Sequence, residues 1–440
     1  MSKLSGFPEF LPAERNVELA VLDHLRSVFE LHGFANVETR AVEPLTTLLR
    51  KGEIDKEVYA VRRLHADPSE PAELALHFDL TVPFARYVVE NAGHLQFPFR
   101  RYQIQKVWRG ERPQAGRFRE FTQADIDIVG DGELAFHFDV EVARVMAEAL
   151  AKLPVPGLSI TLQVSNRKVL EGFYLGLGIG EPTAVMQVID KLDKLPAEKI
   201  ASLLTEQGLS AEQAAACLAL AEIVTSDTSF VDQVRALGVE HELLDEGLTE
   251  LAAVIDGCAG VEGVAVTADL RIARGLDYYT GTVFETRVAE YPLLGSICSG
   301  GRYDQLASDG KRTYPGVGLS IGVSRLLSTL SASGVTASRS VPSAVLVAVT
   351  DEASRAASDT IAQQLRSRAI ACEVAPSAQK FGKQIRFAER RGIPFVWFVT
   401  DEGDQVKDIR TGDQVSADPD SWTPPKNDLR PQVSYKETPK

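Results

Sequence analysis

The sequence predicts an α+β chain: an antiparallel-sheet domain interrupted by a helical insertion, followed by a smaller α/β domain. Three patterns carry that expectation. Strand-like runs fill much of the chain to about residue 165 and return from Val264 to Ser324. Between them, from Asn166 to about Leu251, the composition turns Ala/Leu-rich with helical periodicity, as in SAEQAAACLALAEIV. From Ala344 onward strands and helices alternate, the pattern of a small, largely parallel sheet. The two strand-bearing pieces, split in sequence by the helical module, should share one antiparallel sheet.

Taken in order, an amphipathic helix is expected from Arg15 to Leu31, stopped by Gly33, with strands at Val37 to Val42 and Leu74 to Phe78. Residues 100–129 read as a strand (Tyr102 to Trp108), a Gly/Pro-punctuated loop (Gly110 to Gly116) and a second strand through Phe121, Ala124, Ile126 and Ile128. A Ser/Thr/Ala/Gly-rich linker is expected at about Ser331 to Val341. Beyond it the alternation runs Ala344 to Val349 (strand), Glu352 to Arg368 (helix), Ile370 to Val374 (strand), Lys380 to Arg391 (helix) and Phe395 to Val399 (strand). The tail from Ser416, with Pro419, Pro424, Pro425, Pro431 and no apolar periodicity, is expected to be disordered or ordered only on contact. The expected division is therefore 1–330, interrupted at 166–251, then a linker at 331–342, a domain at 343–415 and a tail at 416–440.

With 440 residues, 44% of them hydrophobic, the chain can bury the cores of two or three domains. Neither an eighteen-residue apolar run nor a charged-then-apolar leader occurs, so neither a membrane span nor secretion is expected. Cys217, Cys258, Cys298 and Cys372 are widely spaced and form no CxxC pair, which argues against structural zinc or a disulfide framework and fits a reduced cytoplasm. A net charge of −14 does not exclude a nucleic-acid partner, which needs local basic surface rather than a basic average.

Three segments carry chemistry. Arg274-Gly275-Leu276-Asp277-Tyr278-Tyr279-Thr280-Gly281-Thr282-Val283-Phe284-Glu285 crowds an arginine, an aspartate and two tyrosines at the start of a strand. Arginine brings fixed charge and a planar donor fork for phosphate or carboxylate, and tyrosine hydroxyls can orient a small polar ligand. The run from Arg100 to Arg119 holds seven basic side chains (Arg100, Arg101, Lys106, Arg109, Arg112, Arg117, Arg119) against one acid, Glu111, with phosphate the obvious counter-ion. Charge runs usually only keep a surface wet. The ordering here, arginine at a strand end, a basic loop, then Arg-Glu-Phe returning along a strand, favours a ligand. Gly300-Gly301-Arg302-Tyr303-Asp304, followed by Pro315-Gly316-Val317-Gly318-Leu319-Ser320-Ile321-Gly322-Val323-Ser324-Arg325, repeats glycine inside apolar strands, which marks close approach of a ligand or another backbone.

These segments resemble, in order, the signature of the histidyl-tRNA synthetases and motifs 2 and 3 of class II aminoacyl-tRNA synthetases. The resemblance runs from Gly6 to about Asp413, nearly the whole chain. It departs in two places: Ser324 stands where motif 3 usually has glutamate before its arginine, and around Glu38 to Pro44 motif 1 has Arg40 for the usual proline. The implied fold is a class II antiparallel-sheet catalytic domain with a helical insertion domain near the tRNA acceptor stem, and a C-terminal anticodon-binding domain. The implied activity is ATP-dependent attachment of L-histidine to its tRNA through a histidyl-adenylate, releasing AMP and diphosphate. A histidine-sensing regulatory relative without ligase activity competes with it, but such relatives erode the arginines and lack the C-terminal domain, both kept here.

By the same resemblance, Arg109 and Arg274 are catalytic, meeting the α-phosphate and the histidine carboxylate from opposite sides. Arg117 reaches the outer phosphates, and adenine lies between Phe121 and Arg325. Magnesium (Mg2+) accompanies ATP through phosphate oxygens and water, with no dedicated protein metal site. Asp79, Thr81 and Gln123 hold the α-amino group, Asp127 and Tyr279 read the imidazole, and Leu80 and Tyr278 complete the histidine set. Arg112 and Gln114 of the motif 2 loop, and Lys383 and Arg386 of the C-terminal helix, are implied to touch tRNA. A homodimer is implied as well.

Overall fold

The computed structural model describes residues 4–49, 55–67, 69–114, 116–273, 278–400 and 402–435. Two compact units emerge, Met1–Pro8 with Val21–Thr329, and Glu9–Ala20 with Leu330–Lys440. The first helix, Pro12–Leu31, begins a turn earlier than expected. Proline is tolerated in a first helical turn, and the Leu11 N–H finds Glu14 Oε2 at 3.1 Å.

In the first unit the strands are β1 (Ala35–Asn36), β2 (Val42–Pro44), β3 (Ala60–Val61), β4 (Leu74–Leu76), β5 (Phe99–Trp108), β6 (Glu120–Val129), β7 (Ile160–Asn166), β8 (Val224–Thr225), β9 (Ala265–Asp269), β10 (Thr282–Val288), β11 (Cys298–Tyr303) and β12 (Gly316–Gly322). Nine of them form one sheet in the order β1-β5-β6-β12-β11-β10-β7-β9-β8. Its centre, from β5 to β7, is antiparallel throughout, as expected. The flanking pairs β1·β5 and β7·β9 are parallel, a departure from the expected wholly antiparallel sheet. Parallel neighbours need a long crossover, and the helical module supplies one between β7 and β9. The expected strand at Val37 to Val42 is absent. After Val37 N–H meets Tyr102 O at 2.9 Å, the chain is held by side chains instead: Gln103 Nε2 donates to Thr39 Oγ1 and Gln105 Nε2 to Thr39 O, both at 2.9 Å. It then enters a small sheet, β2-β4-β3.

Alternation along the strands gives the large sheet two unlike faces. Tyr102, Ala124, Ile126, Ile128, Leu319 and Leu162 are buried on one, where each enclosed aliphatic side chain contributes about 1.5–3 kcal/mol. The other is polar: Gln103, Asp125, Ser320, Ser299, Glu285 and Gln163 face one another across six successive strands.

The stretch after β7 is helical as expected, with helices Arg167–Gly176, Pro182–Ile189, Ala197–Glu206, Ala211–Ala221, Phe230–Arg235 and Glu242–Gly257. The last runs past the expected end at Leu251 and packs against the first at backbone distance, since a Cβ on Gly247 would lie 2.5 Å from Val169 N.

The second unit holds β13 (Val335–Ala337), β14 (Val345–Val347), β15 (Cys372–Val374), β16 (Phe395–Phe398), β17 (Gln405–Asp408), β18 (Gln414–Ser416) and β19 (Val433–Tyr435), with helices Arg355–Ser367 and Phe381–Arg391. The sheet β15-β14-β16 is parallel, and β17 and β18 extend it antiparallel. Two expectations are corrected here. The linker contains β13, and the tail contains β19, its partner. The tail through Tyr435 is ordered by its own contacts. Arg368 donates to the Pro419 and Trp422 carbonyls, both at 2.7 Å, and the Trp422 ring stands edge-on to Phe395 (5.3 Å) and Trp397 (5.6 Å). Trp422→Ala should therefore lower the unfolding free energy of this unit by about 2–3 kcal/mol, less than for a wholly buried tryptophan. Urea unfolding followed by circular dichroism measures it, and a change under about 0.5 kcal/mol would remove the tail from the core.

Candidate active site

The β5–β6 hairpin builds the site. Arg109 follows β5 directly, and its N–H bonds Arg119 O at 2.9 Å, so the hairpin ladder fixes the point from which the side chain leaves. Its Nε donates to Phe78 O at 3.2 Å, and its guanidinium carbon lies 4.4 Å from the Phe78 ring centre and 5.1 Å from that of Phe121. A cleft of 210 Å³ opens beside it, lined by Arg109, Arg117, Arg325, Phe121, Gln123 and Ser320 among others, and by Glu111, which pairs with Arg117 at 3.5 Å. Arg325 sits in the first turn of the helix Val323–Ala332, and its guanidinium donates to the Leu294 carbonyl. Burial, and then the neighbouring Arg117 charge, draw the Arg325 pKa below that of a free guanidinium. It remains a cation at neutral pH. Three guanidinium groups converging on one cleft leave a strong positive potential that an anion would relieve.

The glycine pattern is explained by two neighbours. Gly301 and Gly318 pair across β11 and β12. A Cβ on Gly318 would strike the Asp127 carboxylate, and one on Gly301 would come within 2.9 Å of the Tyr279 ring. Both glycines are thus the floor beneath the two side chains expected to read the imidazole. Tyr279 lies against Tyr278, ring centres 4.2 Å apart, and burial holds its hydroxyl pKa well above the ordinary phenol value. Asp127 is 3% exposed, pairs with Arg101 Nη2 at 2.6 Å and accepts from Tyr303 O–H at 2.7 Å. Asp79 Oδ1 accepts the Val82 N–H at 3.0 Å, which anchors the start of the helix Thr81–Asn91, with Leu80 fully buried just before it.

Of the expected site residues, then, Arg109, Arg117, Phe121, Gln123 and Arg325 line one cleft. Asp127 shares a strand face with Gln123, and Tyr279 stands over the paired glycines. Asp79, Leu80, Thr81, Asp127, Tyr278 and Tyr279 do not line that cleft. Arg274 lies outside the described residues. On the hairpin loop Arg112 and Gln114 are exposed, the latter exchanging backbone hydrogen bonds with Arg117 at 3.2 and 2.9 Å. In the second unit Lys383 and Arg386 line an open groove of 490 Å³ with Arg390, Gln379 and Phe387. Among the described residues no group of three or more His, Cys, Asp or Glu is placed to hold a metal ion, and no helix is long and apolar enough to cross a membrane.

The basic run needs correcting. Phosphate is not the counter-ion of three of its seven side chains: Arg101 is wholly buried on Asp127, Arg100 pairs with Glu141 at 2.9 Å, and Lys106 pairs with Glu120. Alternation along β5 turns Arg101 inward, and the hairpin register sets it opposite Asp127. That register was the available signal for Arg101, which sequence reasoning missed along with Tyr303, Asp125 and Ser320. Ser324 acts on the backbone instead, its Oγ accepting the Thr122 N–H at 2.9 Å and so tying β6 to the following helix. The Leu294 carbonyl takes over the orientation of Arg325. In the motif 1 segment, Arg40 pairs with Glu43 at 3.1 Å, and buried Glu43 also takes Arg86 at 2.6 Å.

Comparison with known proteins agrees with this geometry. A model of the histidyl-tRNA synthetase family matches residues 6–326, and one of the anticodon-binding domain matches residues 343–421. The histidine–tRNA ligase of Micrococcus luteus is 61% identical over 98% of this chain and 98% of its own, and that of Cutibacterium acnes 58% identical over the same shares. The crystal structure of histidyl-tRNA synthetase from Nostoc sp. PCC 7120 superposes with a TM-score of 0.85 at 34% identity, covering 95% of this chain and 96% of that one. The chain belongs to the histidyl-tRNA synthetase family.

Proposed function

We propose that the chain carries out the family's histidine–tRNA ligation, an ATP-dependent class II aminoacyl-tRNA synthetase reaction, in the arginine-lined cleft. The observation that carries this reading is the convergence of Arg109, Arg117 and Arg325 on one cavity with the Phe121 ring, a surface suited to a polyphosphate joined to a planar base. The histidine carboxylate attacks the α-phosphorus in line, diphosphate leaves, and a histidyl-adenylate remains. A ribose hydroxyl at the end of tRNA then attacks its carbonyl carbon, releasing AMP. The attacking carboxylate is already ionised at neutral pH, so the first step needs charge neutralisation and alignment rather than a protein base.

Arg109 is assigned to the α-phosphate and the histidine carboxylate, with Arg274 opposite. Arg117 takes the outer phosphates, and Phe121 and Arg325 sandwich adenine. Asp79, Leu80, Thr81, Gln123, Asp127, Tyr278 and Tyr279 form the histidine pocket. Magnesium enters as part of the ATP substrate, held by phosphate oxygens and water. A homodimer working in the cytoplasm, with Lys383 and Arg386 contacting the anticodon arm, completes the proposal.

The test is ATP–diphosphate exchange with each amino acid offered alone. Histidine alone should support exchange, because a pocket built to bond two ring nitrogens is left with unpaired polar groups by any other side chain. Exchange with another amino acid at comparable efficiency would refute the pocket. For Arg112 and Gln114 the reading is base recognition at the acceptor end, where histidine tRNAs carry an additional 5′ guanosine. Gln114→Ala should then cost about 1–3 kcal/mol more on tRNA with that guanosine than on tRNA without it. Equal loss on both transcripts, at one salt concentration, would mean backbone contact only.

A further inference from the structure

Beneath the proposed histidine pocket lies a carboxylate that the mechanism above does not use. Asp125 is 1% exposed and sits between Gln123 and Asp127 on the polar face of β6. Its Oδ2 lies 3.9 Å from Arg101 Nη2, the same nitrogen that pairs with Asp127 at 2.6 Å, so one buried guanidinium serves two carboxylates. Across the sheet Asp125 is paired with Ser320, whose side chain favours its ionised form. The Ser320 oxygen in turn accepts from Gln123 Nε2 at 2.6 Å. That leaves Gln123 Oε1 buried and without a hydrogen-bond partner among the described residues, as is Asp125 Oδ1. An orphaned amide oxygen at the edge of a ligand cleft is costly unless a ligand donor meets it.

We propose that Asp125 is a positioning residue for histidine: it shares Arg101 with Asp127 and, by accepting the Ser320 hydroxyl, turns the Gln123 carbonyl toward the substrate's α-ammonium group. The inference rests on the assignment of Gln123 and Asp127 to histidine made above. The chain of donors has a direction. Ionised Asp125 can only accept, so Ser320 must donate to it and keeps its lone pairs for the Gln123 amide N–H, which leaves the Gln123 oxygen for the ammonium. A protonated Asp125, or an asparagine, can donate to Ser320 instead and release that orientation.

The groups facing Asp125 are Arg101 from β5, Asp127 on its own strand, Ser320 from β12, Tyr303 from β11, and Asp79 from the segment before the helix Thr81–Asn91. Burial first, opposed by Arg101, raises its pKa to about 7. Deprotonation therefore falls inside the range of an ordinary assay.

Asparagine imitates the protonated acid, which gives the test its form. The KM for histidine in ATP–diphosphate exchange is measured for wild type and Asp125→Asn at pH 6 and pH 8. The variant should match wild type within about two-fold at pH 6 and exceed it about ten-fold or more at pH 8, the scale of one charge-assisted hydrogen bond, with the KM for ATP within about two-fold throughout. A ratio that does not change with pH would overturn the proposal, since a purely packing role has no such dependence. Thermal unfolding supplies a second readout. The folded state holds a proton that the unfolded chain releases between the ordinary carboxylate pKa and about 7, so ionised Asp125 costs stability at pH 8, and Asp125→Asn should unfold at a higher temperature there. Ser320→Ala breaks the link and leaves both carboxylates in place; it should raise the KM for histidine at pH 8 about five-fold or more, and no rise would likewise overturn the proposal. Asp127→Asn is the control for the underlying assignment. If it too leaves the KM for histidine unchanged, the pocket is misassigned and both readings fall together; if it raises that KM while the Asp125→Asn ratio stays flat, only the role of Asp125 fails.

Discussion

Replacing Arg109 by alanine is expected to lower histidine-dependent ATP–diphosphate exchange by about 10²–10³-fold, the scale for losing one preorganised donor to charge developing in a transition state. Its side chain has little else to hold. Among the described residues its hydrogen bond goes to the Phe78 carbonyl, and its other contacts are the faces of Phe78 and Phe121. Thermal stability should accordingly change little. Because the arginine is assigned to both reacting groups, kcat should fall along with kcat/KM, whereas loss of a merely affinity-lending contact would raise KM alone. A folded Arg109→Ala protein that exchanges within about ten-fold of wild type would remove Arg109 from the reaction.

The second large effect is on stability. Arg101→Met should destabilise the first unit by about 3–5 kcal/mol, because it strands Asp125 and Asp127 without their cation in a site where Arg101 itself is wholly buried. Most of that cost comes from the abandoned charges rather than from the lost attraction. The double variant Arg101→Met with Asp127→Asn should therefore recover a large part of it, while losing histidine affinity. Urea unfolding of the two variants separates the terms, and a single variant as stable as wild type would show that the pair is solvated in solution.

Much of this molecule was legible in its residues because the relevant signals are local. Period-two alternation, glycine and proline punctuation and a basic loop defined the β5–β6 hairpin, and the Ala/Leu periodicity after Asn166 gave the helices. What escaped is set by distance in sequence. The pairing of β13 with β19 joins residues about a hundred positions apart, and neither short strand carries a pattern of its own. The polar β17 and β18 were missed for a similar reason, since β18 is exposed throughout and β17 buries only Val406, so neither shows an apolar alternation. Trp422 gave no sign that it would find Phe395 and Trp397.

Within the site, residue type identified the cleft arginines, but type alone misjudged Arg101. Seven basic side chains in one run suggest solvent or phosphate, and only the cross-strand register reveals that one of them faces Asp127 inside the sheet. Glycine repeats indicated close approach, and the structure names the approaching groups, Asp127 over Gly318 and Tyr279 over Gly301.

The most direct measurement is a crystal structure of the protein bound to a non-hydrolysable histidyl-adenylate analogue. The account predicts adenine between Phe121 and Arg325, the group replacing the α-phosphate within hydrogen-bond reach of Arg109, the α-ammonium at the Gln123 oxygen, and the imidazole between Asp127 and Tyr279. An analogue seated elsewhere, or an imidazole turned away from Asp127, would contradict it.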